Sequence, residues 1–209
     1  FIKDWRKDVD LLEYERVDFR PYCLEDNTPD NIYNMFRGFN ALKYYLDWKN
    51  IEAANKRPAE DSEKGIGLLL QHIKDLCGNA DFYEYFLDSL AFKLKYPTRK
   101  NNIAYIFKSL QGAGKDSLFD WFGNEMIGSK YYLNIQGLSQ LENFNALLSC
   151  KLMVVLNEFE IRESITNKEK FKALITNVVN IINEKNEKMR KEKDFINYYL
   201  LTNYLISFI

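Results

Sequence analysis

The spacing of apolar residues divides the chain into three textures. Residues 64–95 carry a helical period: Leu68, Leu69, His72, Ile73 and Leu76 fall on one side. Phe82, Tyr85, Phe86, Leu87, Leu90 and Leu94 repeat that stripe, with Cys77-Gly78-Asn79 between the two runs like a helix C-cap. Tyr96-Pro97-Thr98 closes the second run before a basic turn, Arg99-Lys100. From Ile103 short apolar runs alternate with helical stretches. The pattern predicts a strand over 103–107, a helix over 116–127 stopped by Gly128, and a strand over 131–135. A short helix near 139–149, a strand over 152–156, a helix over 167–179, an extended piece near 180–183 and a final strand near 198–202 follow. Alternation of this kind predicts an α/β fold, a parallel sheet flanked by helices. Residues 1–60 show neither period. Trp5, Tyr14, Phe19, Pro21, Tyr33, Phe36 and Phe39 punctuate polar positions, and Asp26-Asn27-Thr28-Pro29-Asp30 is a turn cluster. That segment reads as irregular and anchored by aromatic residues on another domain. Ala53–Lys64, with Pro58, reads as a loop. The expected organisation is an irregular linker at 1–60, a small helical domain at 61–98 and an α/β core at 99–209.

Composition narrows the function classes. With 46% hydrophobic and 15% aromatic residues among 209, a sizeable core is expected and global disorder is not. The 29 basic and 30 acidic residues nearly cancel, so any contact with nucleic acid must be local rather than a general coat of charge. Cys23, Cys77 and Cys150 are far apart, without zinc-ligand spacing, and their odd number argues against a disulfide framework. Free thiols in a reducing, intracellular compartment are expected. His72 reads as a packed helix residue rather than a ligand or base. No apolar run has membrane-spanning length and no signal peptide is visible, so no membrane partner is expected. The chain opens at Phe1 without a methionine and stops at Ile209 in an apolar stretch, as expected of a piece of a longer polypeptide whose core is incomplete at its C-terminal end.

The candidate chemistry begins at the end of the first predicted strand. Gln111-Gly112-Ala113-Gly114-Lys115-Asp116-Ser117-Leu118 places two glycines and a lysine between a strand and a helix. Glycines let the backbone curl so that its N–H groups face inward, the helix start adds the positive end of its dipole, and Lys115 supplies a mobile charge for outer phosphates. The usual loop reads G-x-x-x-x-G-K-[ST]. Here Ser109 stands at the first glycine, and Asp116 follows the lysine with Ser117 one place later. Taken alone, the stretch reads equally as an ordinary strand-to-helix turn with a surface lysine.

Two further strands end in polar groups. Leu152-Met153-Val154-Val155-Leu156 suits a central strand buried on both faces, and Asn157-Glu158 sits at its carboxyl edge, where parallel sheets bind ligands. Glu158 fits a base that orients water, and Asn157 stands where a metal-facing acid is usual; Asp116 can restore that charge. Tyr198-Tyr199-Leu200-Leu201-Thr202-Asn203 ends in an amide able to reach a γ-phosphate or the attacking water. Between them, Ile181-Ile182-Asn183 leads into a basic, turn-like segment through Lys185 and Lys188. It reads either as a solvated charged loop or as a hairpin whose lysines follow a nucleic-acid backbone.

In order and spacing these segments resemble a superfamily 3 helicase of the AAA+ type, and more narrowly the helicase part of poxvirus-like and phage primase–helicases. Residues 111–117 are similar to the G-x-G-K-D-[ST] variant of the phosphate loop in that group. Tyr131-Tyr132 through Asn143-Phe144-Asn145 resembles the segment before the acid strand, and Asn157-Glu158 looks like the second motif. Lys172–Thr176 with Lys185 looks like the motif that feeds the DNA-contacting hairpin, and Thr202-Asn203 looks like the sensor. Upstream, Asp18-Phe19-Arg20-Pro21 and Tyr33–Phe39 are similar to the linker that joins primase and helicase modules. The resemblance implies a P-loop AAA+ sheet and an ATP-driven homo-oligomeric ring, expected to be a hexamer, moving on single-stranded DNA at a viral or phage replication site. It implies Mg2+ held by Ser117 or Asp116, near Asn157; phosphates on the loop amides and Lys115; water oriented by Glu158; and a γ-phosphate sensed by Asn203. Lys185 and Lys188 would touch DNA, a primase module would share the polypeptide, and an arginine finger would lie beyond Ile209. Two rivals stand beside it: a nucleotide-binding scaffold without hydrolysis, favoured by Asn157 and Ser109, and a P-loop nucleotide or metabolite kinase, for which no arginine-rich lid is evident.

Overall fold

Four strands form the centre of the computed structural model, which describes residues 14–21, 28–29, 31–53, 60–137, 140, 145–158, 168–183 and 188–203. These are β3 (Ala104–Lys108), β4 (Tyr132–Gln136), β5 (Met153–Asn157) and β8 (Asn197–Thr202). All pair in parallel in the order β3-β8-β5-β4. Side chains alternate across a pleated sheet, so each strand serves two cores. Tyr105 and Phe107 of β3, Met153 and Val155 of β5, and Tyr199 and Leu201 of β8 share one core. Val154, Leu156, Tyr198 and Leu200 face the other. This double burial is why β5 and β8 read as unbroken apolar runs instead of alternating ones.

Helices cover both faces. On the first lie α2 (Glu60–Cys77), α3 (Ala80–Lys95) and α4 (Lys115–Trp121), with α4 continuing as a π-helix over Phe122–Gly128. Asn79 caps α3 by accepting the Phe82 N–H at 3.1 Å, and Pro97 follows its C-cap. Phe86 of α3 is fully buried and sets its ring 4.8 Å from Phe107 and 6.0 Å from Phe119. Burying such a ring stabilises the fold by about 1.5–3 kcal/mol. The residues of α3 therefore share one core with the sheet. At Gly123 the π-helix lies so close to β4 that a Cβ would fall 2.3 Å from the Tyr132 ring. The second face is covered by a 3-10 turn (Asn145–Leu148), α5 (Lys168–Thr176), and an antiparallel hairpin of β6 (Val179–Ile182) and β7 (Arg190–Lys193).

The expected parallel α/β sheet flanked by helices is present, with three departures. The segment 1–60, expected to be irregular, contains β1 (Arg16–Asp18) and β2 (Ile32–Asn34), paired in parallel, and a helix, α1 (Asn40–Ala53). Tyr44, Tyr45 and Leu46 of α1 are exposed, so no apolar stripe marks it; Asn40 and Tyr44 bind Asn124 and Glu125 of the π-helix. The loop placed at Ala53–Lys64 is shorter, because α2 begins at Glu60. The helix placed over 167–179 ends at Thr176, since Val179 already pairs with Lys193 in the hairpin. The aromatic anchoring of the N-terminal segment is present: Phe19 and Phe36 pack on Tyr131, whose hydroxyl accepts the Arg37 N–H at 2.8 Å. At the amino edge of the sheet Lys100 forms a buried 2.6 Å ion pair with Asp194. Beside it Lys93 donates to the carbonyls of Pro97 and Phe195. Burial pulls the Lys93 ammonium down to about 7, against the attraction of Asp194.

Candidate functional site

Three loops leave the carboxyl edge of the sheet side by side, and the predicted chemistry lies on them. Behind β3, Gly112 and Gly114 adopt φ of +80° and +81°, a region that L side chains enter only at a cost. They bring the chain round so that Gly114 becomes the N-cap of α4, with no side chain capping the helix start. Lys115 opens the helix and folds back beneath the loop, only 5% exposed. Its ammonium donates to the Ser109 carbonyl at 3.1 Å, the Ser109 hydroxyl at 2.7 Å, the Leu110 carbonyl at 3.4 Å and the Asn203 amide oxygen at 2.9 Å. All four acceptors are neutral oxygens. Burial lowers the Lys115 pKa, and the Asp116 carboxylate raises it in part. A buried cation without a contacting carboxylate is costly unless an anion joins it.

Asn203 reaches Lys115 because β8 lies next to β3, with the Ser109 N–H bound to the Thr202 carbonyl at 3.4 Å. On the far side of β8, β5 ends at Asn157. Its amide nitrogen donates to the Asp116 carboxylate, and its amide oxygen accepts the Glu158 N–H at 2.9 Å. Glu158 is exposed and holds φ of +52°, an unfavourable backbone for a residue with a side chain. Strain of this kind costs about 1–3 kcal/mol and gathers at functional sites. The loop after β3 is thus joined to β8 through Lys115–Asn203 and to β5 through Asp116–Asn157.

Of the other loop positions, Gln111, Gly112 and Ser117 are exposed, while Ala113 and Gly114 are half-buried. Leu118 is buried in the core and its N–H is engaged by the Gly114 carbonyl at 3.1 Å. Lys188 is exposed just ahead of β7, on the hairpin rather than at this edge; Lys185 lies outside the described residues. Two residues enter the site that sequence reasoning did not place there. Ser109, a departure from the loop pattern, supplies two of the four acceptors for Lys115. His72 of α2 sets its Nε2 3.3 Å from the Gly114 carbonyl. A Cβ at position 114 would fall 2.8 Å from that imidazole, so glycine is required there for space as well as for backbone. Helical spacing alone could not reveal that contact, 42 positions away in the chain.

Residues 107–208 match a protein family described as a family of unknown function, DUF5906. No functionally curated protein matches the chain. Solved structures do match, among them the following. The apo structure of the NrS-1 C-terminal region (305–718) is 27% identical over 66% of this chain and 33% of that chain, with a TM-score of 0.60. Two A-form apo structures of the same region are 28% and 29% identical, with TM-scores of 0.57 and 0.59, over 66% and 67% of this chain. The chain spans about a third of the length of these solved chains (33%, 32% and 34%). Among the described residues no helix is long and apolar enough to cross a membrane, and no cluster of three or more His, Cys, Asp or Glu is placed to hold a metal.

Proposed function

We propose that the chain is the ATPase part of a replicative DNA helicase of the superfamily 3 type. The observation that carries this reading is the Lys115 ammonium, buried under a glycine turn at the carboxyl edge and ringed by neutral oxygens of residues that follow two neighbouring strands. A cation so placed is short of one anion, and a triphosphate supplies it. A ring of copies acting on single-stranded DNA, with a primase module in the same polypeptide, belongs to the same reading.

The residues divide the work by position. The N–H groups of Gly112, Gly114 and Lys115 cradle phosphate oxygens, and Lys115 exchanges its Asn203 and Ser109 acceptors for the outer phosphates. Asp116 and Ser117 offer hard oxygen donors that suit Mg2+, which takes one or two protein ligands with phosphate and water completing its shell. When bound, that ion neutralises charge on the β- and γ-phosphates. Glu158 orients a water toward the γ-phosphorus and accepts its proton while the bond to the β-phosphate oxygen breaks. Asn203, freed by Lys115, reads the γ-phosphate from the adjacent strand. Stabilisation of developing charge by groups already in place lowers the barrier.

Glu158→Gln tests the assignment. It should retain nucleotide binding and lose turnover by at least about a hundredfold, the scale of general-base catalysis. Turnover should also rise with single-stranded DNA. Undiminished turnover in Glu158→Gln would remove that residue from its role. A second reading, a nucleotide-binding scaffold without hydrolysis, is favoured by one observation: Asn157 carries no charge and its amide is tied to Asp116. It predicts binding without turnover in the unmodified chain.

A further inference from the structure

Helix α2 reaches the glycine loop through His72. Next to it in the helix, Ile73 is buried in the first core, with Leu69 and Leu76 packed beside it, so α2 is fixed to the body of the domain at this point. His72 is half-buried and sets its Nε2 3.3 Å from the Gly114 carbonyl. A carbonyl can only accept, so Nε2 must carry the proton. Nδ1 has no hydrogen-bond partner among the described residues, so no group on the other side of the ring competes for that assignment.

The carbonyl that His72 holds lies at the pivot of the loop. Gly114 has φ of +81° and begins α4 without a side chain to fix the turn. Its carbonyl and the Lys115 N–H belong to one planar trans peptide group and point in opposite directions. The carbonyl is held by His72 and by the Leu118 N–H, which donates to it at 3.1 Å. Holding the carbonyl therefore aims the Lys115 N–H away from α2. The imidazole also occupies the space next to Gly114, where a Cβ would fall 2.8 Å from it, so the turn cannot settle closer to the helix.

We infer that His72 is a positioning residue of the nucleotide site, a post on α2 that sets the direction of the Lys115 N–H through the Gly114 peptide. The inference rests on the proposed function in taking that N–H as a phosphate donor; His72 itself touches no phosphate. The same peptide carries the effect back. A phosphate that accepts the Lys115 N–H polarises the peptide group, makes the Gly114 carbonyl a stronger acceptor and strengthens its bond from His72.

The chain has a single histidine, so the imidazole is a one-site probe. A long-range 1H–15N spectrum of the full chain in alkaline buffer should show the proton on Nε2. Saturating ATP with Mg2+ should move the Nε2–H proton downfield. Calorimetric titration with ATP then reads the variants. His72→Phe keeps a ring in place but removes the donor, and should weaken binding about 3- to 10-fold, the share of one hydrogen bond. His72→Gln, whose amide N–H can reach the same carbonyl, should restore affinity to within about twofold. Leu76→Ala, one turn further along α2, should lower the melting temperature and leave affinity within about twofold, because it removes packing alone. A proton on Nδ1 overturns the inference, as does a histidine signal that saturating ATP leaves in place. So does a His72→Phe chain with unmodified affinity, a His72→Gln chain as weak as His72→Phe, or a Leu76→Ala chain as weak as either. An unmodified chain that binds no ATP overturns the proposed function and this inference together, whereas every other adverse result, obtained with ATP bound, overturns the role of His72 alone.

Discussion

Replacing Asn203 with Asp changes one atom's charge beside Lys115 and should move stability and nucleotide binding in opposite directions. The amide oxygen of Asn203 accepts the Lys115 ammonium at 2.9 Å. A carboxylate at that place turns a neutral hydrogen bond, worth about 0.5–1.5 kcal/mol net, into a charged one worth about 1.5–3 kcal/mol. Because Asn203 is exposed, the lower end applies, a gain of about 1 kcal/mol. In a chain of this length that raises the melting temperature by about 2–4 °C. The same ion pair must be broken before Lys115 can reach a phosphate, and the new carboxylate repels the anion. Nucleotide affinity should therefore fall about tenfold, the equivalent of about 1.4 kcal/mol. Thermal unfolding and titration with a fluorescent ATP analogue read both quantities on one preparation, with Asn203→Ala as the control that removes the acceptor without adding charge. A variant that melts higher yet binds nucleotide as tightly as the unmodified chain would refute the assignment of Lys115 as the phosphate ligand.

Two other perturbations test separate parts of the account. Glu158→Gly should relieve the left-handed backbone at φ of +52° and stabilise the chain by about 1 kcal/mol in urea unfolding, while turnover is lost; a destabilised Gly variant would mean that the backbone there is unstrained. Lys93→Met tests the buried ammonium at the amino edge. Its folded pKa, about 7, lies below its unfolded value near 10.5, so the unfolded chain binds more protons between those limits and Lys93 contributes more stability as pH rises through that window. The stability of Lys93→Met relative to the unmodified chain should therefore decline from pH 7 to pH 10, and a pH-independent difference would contradict the burial argument.

The parts of the fold that were legible in the sequence are those where burial dictates residue type. β5 and β8 are covered on both faces, so each had to be an apolar run, and their ends could be placed within a residue or so. The parts that were not legible lack such a signal. Tyr44, Tyr45 and Leu46 of α1 lie in solvent, and β1 and β2 are three residues each, too short for alternation to show. The π-helix differs from the helix placed over 116–127 only in its hydrogen-bond ladder, which composition does not encode. At the site, strand ends and glycines were visible as separate segments, and the structure brings Lys115 to Asn203 and Asp116 to Asn157. The role of Ser109 was hidden because the loop pattern marks it as a missing glycine, whereas its hydroxyl and carbonyl hold the lysine. His72 was hidden because contact between α2 and the loop depends on tertiary packing alone.

Calorimetric titration of the chain with ATP and Mg2+, repeated on Lys115→Ala, tests the central claim most directly. The account predicts saturable binding at one site per chain, weakened about 10- to 100-fold in the variant by loss of a charged hydrogen bond worth about 1.5–3 kcal/mol. An unmodified chain that binds no ATP, or a Lys115→Ala chain that binds it equally well, would contradict it.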